Sequence, residues 1–186
     1  MDEFFKEMQD LRDSVENRRV FDCTSTDDWN TLCASMDALE DTHHAILAFV
    51  SAASNLLPKL QERELGERYL RTYGVMQAFA IQQDAIRNIH LSLGMPDPDL
   101  SPLDHIREFR IAAAGHPTLQ DRPKALPRRA HFISQPTLGD SGMDLLTVDG
   151  SGQPLFRSVQ IPSLADEQEK HILRLIRQAV SHFTWP

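Results

Sequence analysis

The sequence predicts a mainly α-helical protein, a four- to five-helix bundle with a small antiparallel β-meander inserted before the C-terminal helix, at about residues 128–161. Three observations predict it. Apolar residues recur at helical spacing through several long segments, and Ser, Thr, Pro and Gly stand where such segments should begin and end. After residue 128 the pattern changes to short, partly alternating runs separated by "LGDSG" and "GSGQ".

The first helix is expected over residues 2–19, where Phe4, Phe5, Met8, Leu11 and Val15 share one face. "CTSTDDWNTL" supplies hydroxyl caps followed by acids suited to a helix N-terminus, so a second helix should run over about 27–57, with Pro58 at its end. A third, about 62–93, is rich in helix formers and is stopped by Gly94, Pro96 and Pro98. "SPLDHIREFRIAAAG" opens with a Ser cap and Pro in the first turn, and Gly115 is placed as a left-handed terminator of this fourth helix. "RRAHFISQ", "MDLLTVD" and "PLFRSVQI" then read as three strands. A last helix follows "PSLADEQ", its buried face marked by Ile172, Leu175, Ile176, Ala179 and Phe183.

Length and composition narrow the class. A chain of 186 residues, 41% hydrophobic and 25% charged, suits a single globular domain over 1–186. The most apolar run, "AILAFVSAASNLL", is too short and too polar for a membrane span, so no membrane partner is expected. "MDEFFKEMQD" lacks the basic start and apolar run of a secretory signal, which points to the cytoplasm. Cys23 and Cys33 match no zinc spacing and read as free thiols. A net charge of −8 argues against broad nonspecific nucleic-acid binding. The charge is uneven, however: residues 1–58 hold twelve acids and four bases, whereas 105–135 hold six bases and two acids.

Chemistry concentrates on the third and fourth helices. On a helical wheel Leu103, Ile106, Phe109, Ala113 and Ala114 form one apolar arc with Arg110 in its middle. A guanidinium buried there without a partner costs about 3–5 kcal/mol, so it requires a protein acid or a bound phosphate. Tyr73, Gln77, Asp84 and Asn88 fall within about 60° of one another on the third helix, and Asp84 is the expected partner of Arg110. The plainer reading is a neutralised core network. His116 follows Gly115 and precedes Pro117, so it sits on a turn beyond the helix, where it either approaches Arg110 or caps carbonyls.

An arginine followed by a histidine at the end of a late helix in an α bundle resembles the HEPN domain (higher eukaryotes and prokaryotes nucleotide-binding). The Arg-x(4-6)-His motif of that superfamily falls on Arg110 and His116, and "YGVMQAFAIQQDAIRNI" followed by "IREFRIAAAGHPT" looks like a group of bacterial proteins with the same layout. The resemblance covers about residues 27–116. It implies a metal-independent ribonuclease without cofactor, working as a homodimer, with His116 exchanging protons and Arg110 stabilising phosphorane charge. Arg122, Lys124, Arg128 and Arg129 would then hold the RNA backbone. Catalytic members usually carry a polar residue directly after the arginine; here it is Ile111.

Other readings compete. Glu40 and His43 form one Glu-x-x-His, but no second copy accompanies it, so no metal is expected. There is no Gly-rich phosphate loop and no nucleophile elbow, and "GDSGMD" reads as a turn. The main rival is a noncatalytic homodimeric helical module that meets a protein partner, followed by a cleft that binds a nucleotide or other phosphate without turnover.

Overall fold

A computed structural model describes residues 3–17, 25–53, 62–115, 130–148 and 153–182. The order of elements is α1 (Glu3–Asn17), α2 (Thr26–Ala53), α3 (Glu62–Ser92), α4 (Asp104–Arg110), β1 (Ala130–Ile133), β2 (Gly142–Val148), β3 (Pro154–Gln160) and α5 (Ile161–His182). The fold class is therefore the expected one, mainly α with a three-stranded meander before the last helix.

The termini of the helices follow local chemistry. At the start of α2, Ser25 Oγ accepts from the Asp28 backbone N–H at 3.1 Å and donates to Asp28 Oδ2 at 2.7 Å, a reciprocal cap. At the end of α3, Gly94 has φ +69°, Met95 N–H donates to the His90 carbonyl and Gly94 N–H to that of Leu91. That is the Schellman arrangement, which satisfies carbonyls the helix itself leaves open.

The fourth helix departs from expectation. A 3-10 turn at Ser101–Leu103 leads into α4, and Ile111–Gly115 continues as a π turn. The left-handed stop expected at Gly115 turns on the residues that follow it, which lie outside the described residues. The final helix also starts earlier than "PSLADEQ" suggests. It begins at Ile161, directly after β3, because Pro162 in the first turn gives up no intrahelical hydrogen bond, and Ile161 N–H donates to the Ser141 carbonyl.

The chain divides into two compact units. The first comprises Met1–His44, Ile81–Pro102 and Asp166–Pro186. Phe4, Met8, Leu11 and Val15 of α1 are buried, as are Leu32, Met36 and Leu39 of α2, Ile86 and Ile89 of α3, and Ile172, Leu175, Ile176 and Ala179 of α5. Charged pairs tie down α1: Arg12 reaches Asp37 at 2.8 Å and Glu40 at 3.1 Å, and Arg177 of α5 pairs with Glu3 and Glu7. Inside, Gln83 Nε2 donates to Gln168 Oε1 at 2.7 Å, and Gln168 Nε2 donates to Gln82 Oε1 at 2.8 Å. All three amides are buried, where polar groups require hydrogen-bond partners within the protein.

The second unit comprises Ala45–Ala80 and Leu103–Ala165. Its sheet is antiparallel in the order β1-β2-β3, with Phe132 opposite Leu146 and Leu146 opposite Phe156. Met143, Leu145 and Val159 point inward and are buried. So are Phe49, Val75, Met76, Phe79, Leu103, Ile106 and Leu138, which complete this core.

Candidate functional site

Arg110 is the last residue of α4 before the π turn. It is half-buried, not sunk in the middle of an apolar arc: Leu103, Ile106, Ala112 and Ala113 take the buried positions, while Phe109 and Ala114 are only half-covered. Its guanidinium donates twice to one acceptor, Gln77 Oε1, from Nε at 3.1 Å and from Nη2 at 2.8 Å. The expected partner, Asp84, lies two helical turns further along α3, about 10.5 Å up the axis. It is exposed and acts on Arg87, whose pKa is raised first by the hydrogen bond that Arg87 donates to Asp97 and lastly by the charge of Asp84. The pairing is therefore with an amide, not a carboxylate.

The reason lies in the orientation of α3. Leu70, Tyr73, Gly74, Gln77, Ile81, Asp84, Asn88 and Leu91 are exposed at three- and four-residue intervals, so they form the solvent-facing stripe of the helix. The polar column of Tyr73, Gln77, Asp84 and Asn88 belongs to this stripe and is no core network. Of the four, Gln77 is the one bonded to Arg110. The polar residues that are buried in α3 are Thr72, Gln82, Gln83 and His90.

Beside Arg110 stand two further features. Arg157 of β3 lies over the Phe109 ring, 5.1 Å from its centroid, and 3.9 Å from the Glu108 carboxylate. Its Nε is buried and has no hydrogen-bond partner among the described residues. Ile111, directly after Arg110, is 37% exposed, so its side chain faces outward where a polar neighbour would be useful to a phosphate. Among the described residues no carboxylate comes within ion-pair distance of Arg110.

His116, Arg122, Lys124, Arg128 and Arg129 lie outside the described residues, as does Cys23. Cys33 is half-buried on α2, and burial pushes its thiol pKa up, which lowers its thiolate fraction and its reactivity. Glu40 is engaged with Arg12, while the His43 ring stacks on Phe4 at 3.7 Å, so both halves of the Glu-x-x-His hold α1 against α2. Among the described residues no group of three or more His, Cys, Asp or Glu side chains is disposed to hold a metal ion. None of the described helices is long and apolar enough to cross a membrane.

Sequence reasoning missed a second basic cluster. Arg68 donates to the Leu138 carbonyl at 3.0 Å, and Arg68 and Arg71 approach Asp140 at 3.6 and 3.7 Å. Arg71 also lies over Phe49. Asp140 comes from the "GDSG" turn, whose acid is a counter-ion for two arginines as well as a turn former. The only signal was the i, i+3 spacing of Arg68 and Arg71, which places both on one side of α3.

Comparison with protein-family models, with curated proteins and with solved structures finds no match to this chain. The functional reading therefore rests on the residues themselves.

Proposed function

We propose that the Arg110 end of α4 is a phosphate-binding site and that the protein is a HEPN-like, metal-independent endoribonuclease in which His116 exchanges protons. One observation carries this reading: Arg110 is anchored by the neutral amide of Gln77, with no carboxylate in ion-pair distance among the described residues. An arginine intended only for stability is normally neutralised by an acid, as Arg12 and Arg177 are here. A guanidinium oriented by an amide keeps both its geometry and its charge for an external anion.

In this reading the RNA 2′-hydroxyl gives its proton to a base and forms the new P–O2′ bond. The P–O5′ bond breaks, and the 5′-oxygen takes up a proton. Arg110 offsets the charge that accumulates on the nonbridging oxygens. The motif resemblance assigns the proton transfers to His116; an imidazole, with an unperturbed pKa of about 6.5, is the side chain suited to both directions at neutral pH.

A second reading, binding of a nucleotide or other phosphate without turnover, is favoured by Ile111. An exposed apolar side chain supplies no hydrogen bond beside the phosphate. Incubating single-stranded RNA with purified protein in excess EDTA separates the two. Cleavage to 2′,3′-cyclic ends, lost in Arg110→Ala and His116→Ala, supports the nuclease. Phosphate binding lost in Arg110→Ala without any cleavage supports the second reading, and equal behaviour of all three proteins removes the site assignment altogether.

A further inference from the structure

We propose that Tyr73 and Gly74 of α3 form a base subsite beside Arg110, where the nucleobase of a single-stranded RNA stacks on the tyrosine ring while its phosphate meets the guanidinium. The inference rests on the phosphate reading of Arg110 and places the part of the ligand that reading leaves unassigned.

Gln77, which holds the Arg110 guanidinium at 3.1 and 2.8 Å, stands four residues after Tyr73 and three after Gly74. Residues at these intervals are neighbours on a helix surface, and all three are exposed. Helical side chains lean toward the N-terminus of their helix, so Gln77 covers the turn that begins at Tyr73 and Gly74. The guanidinium bonded to it therefore lies at the edge of that same turn.

Tyr73 supplies the platform. It is 39% exposed, and its ring packs against that of Tyr69 with centroids 5.8 Å apart and planes tilted by 45°. This contact steadies the ring and leaves part of it open to a flat partner. Gly74 supplies the space. Glycine is the poorest helix former after proline, and no packing demand accounts for it here: among the described residues a Cβ would meet nothing within 4 Å beyond its own helix and chain neighbours. Gly66 is equally unhindered, but it stands about three helical turns before Gln77. At Gly74 the bare backbone lets a planar group approach the helix closely, next to the ring and the cation together.

Chemistry selects the occupant. An aromatic face one turn from a cation that a neutral amide orients fits a flat ring joined to a phosphate, which is a nucleotide. The base is uncharged and needs no cation beyond Arg110, which suits a chain of net charge −8. Every base presents a π face, so stacking here is tolerant of sequence.

Titration of the full chain, followed by NMR, with adenosine 5′-monophosphate and with ribose 5-phosphate tests the subsite, because the two ligands differ by the base. Neither carries a phosphodiester bond, so turnover cannot obscure binding. The nucleotide is expected to bind about fivefold or more tightly than the sugar phosphate, the lower end of what one stacked base contributes. Tyr73→Ala should abolish that preference and leave ribose 5-phosphate affinity unchanged, whereas Tyr73→Phe should retain it. Gly74→Gln should abolish it in a protein that melts no lower than the wild type, which separates a filled slot from a damaged helix. Arg110→Ala should weaken both ligands alike. Equal affinity for the two ligands, dependent on Arg110, overturns the base subsite and leaves the phosphate site standing. So does a preference that survives Tyr73→Ala. Binding of both ligands indifferent to Arg110→Ala removes the phosphate site, and the base subsite with it.

Discussion

The Arg110 guanidinium grips the amide oxygen of Gln77 with two hydrogen bonds, at 3.1 and 2.8 Å, so the group that orients it is neutral. Replacing the amide by a carboxylate should keep the geometry and cancel the charge. Gln77→Glu is expected to weaken phosphate binding about tenfold or more, comparable to one charge-assisted hydrogen bond, while stability changes by less than about 1 kcal/mol. Titration of both proteins with a short single-stranded oligonucleotide checks this. Equal affinity would show that Arg110 does not meet the phosphate.

His90 makes stability depend on pH. Its Nε2 lies 3.1 Å from the Leu175 carbonyl, and the Pro96 carbonyl also faces the ring, yet a neutral imidazole has one N–H to donate. Burial is the largest influence and lowers the pKa below the usual histidine value; His182 adds to this, and the two carbonyls and Asp97 oppose it. Below about pH 6.5 the unfolded chain therefore binds more protons than the folded one, and stability rises with pH in that window. The contribution is complete above about 6.5 and is lost as pH falls through the folded pKa. The urea midpoint should drop further between pH 7.5 and 5.5 in the wild type than in His90→Gln. An identical drop would place the acid sensitivity elsewhere.

The chain of buried amides offers a sharper stability test. Gln168→Leu removes the central link and leaves groups on Gln82 and Gln83 without their bonds to it, which should cost about 2–4 kcal/mol. Replacing all three glutamines with leucine or methionine removes the unsatisfied groups as well and should recover much of that loss. Urea denaturation of the single and triple variants distinguishes the two. A triple variant as unstable as the single one would mean that the amides contribute more than their mutual bonding.

Gly142 sits where a side chain has no room. A Cβ there would lie 2.2 Å from the Val159 carbonyl oxygen, a backbone atom of the neighbouring strand that cannot swing aside. Gly142→Ala should therefore force β2 and β3 apart locally and cost about 1–3 kcal/mol. Thermal melting reads the cost. Gly74→Ala provides the contrast, since a Cβ there meets nothing within 4 Å and alanine favours the helix by about 1 kcal/mol.

Helix positions, the Gly94 stop and all three strands were legible because each depends on neighbours in the chain. Periodicity, capping and turn chemistry act over a few residues. The start of α5 was misplaced for a related reason: Pro162 marks the first turn of a helix as readily as a loop. The π turn after Arg110 has no local signature comparable to a cap.

The candidate site was half legible. The helical wheel placed Arg110 in an apolar arc and named Asp84 as its partner; in the structure Arg110 is half-buried, the polar column of α3 faces outward, and Gln77 of that column meets the guanidinium. Which member of the stripe it would meet depended on where α4 lies along α3, a matter of two helical turns that no local pattern encodes. The roles of Asp140 as counter-ion and of Gln82, Gln83 and Gln168 as one chain were hidden for the same reason: their partners are 69 or more positions away. Short-range chemistry is written in consecutive residues, whereas burial and pairing are set by packing between distant ones. The amino-acid sequence thus settled which segments become helices and strands, and packing settled which side of each faces water and what Arg110 holds.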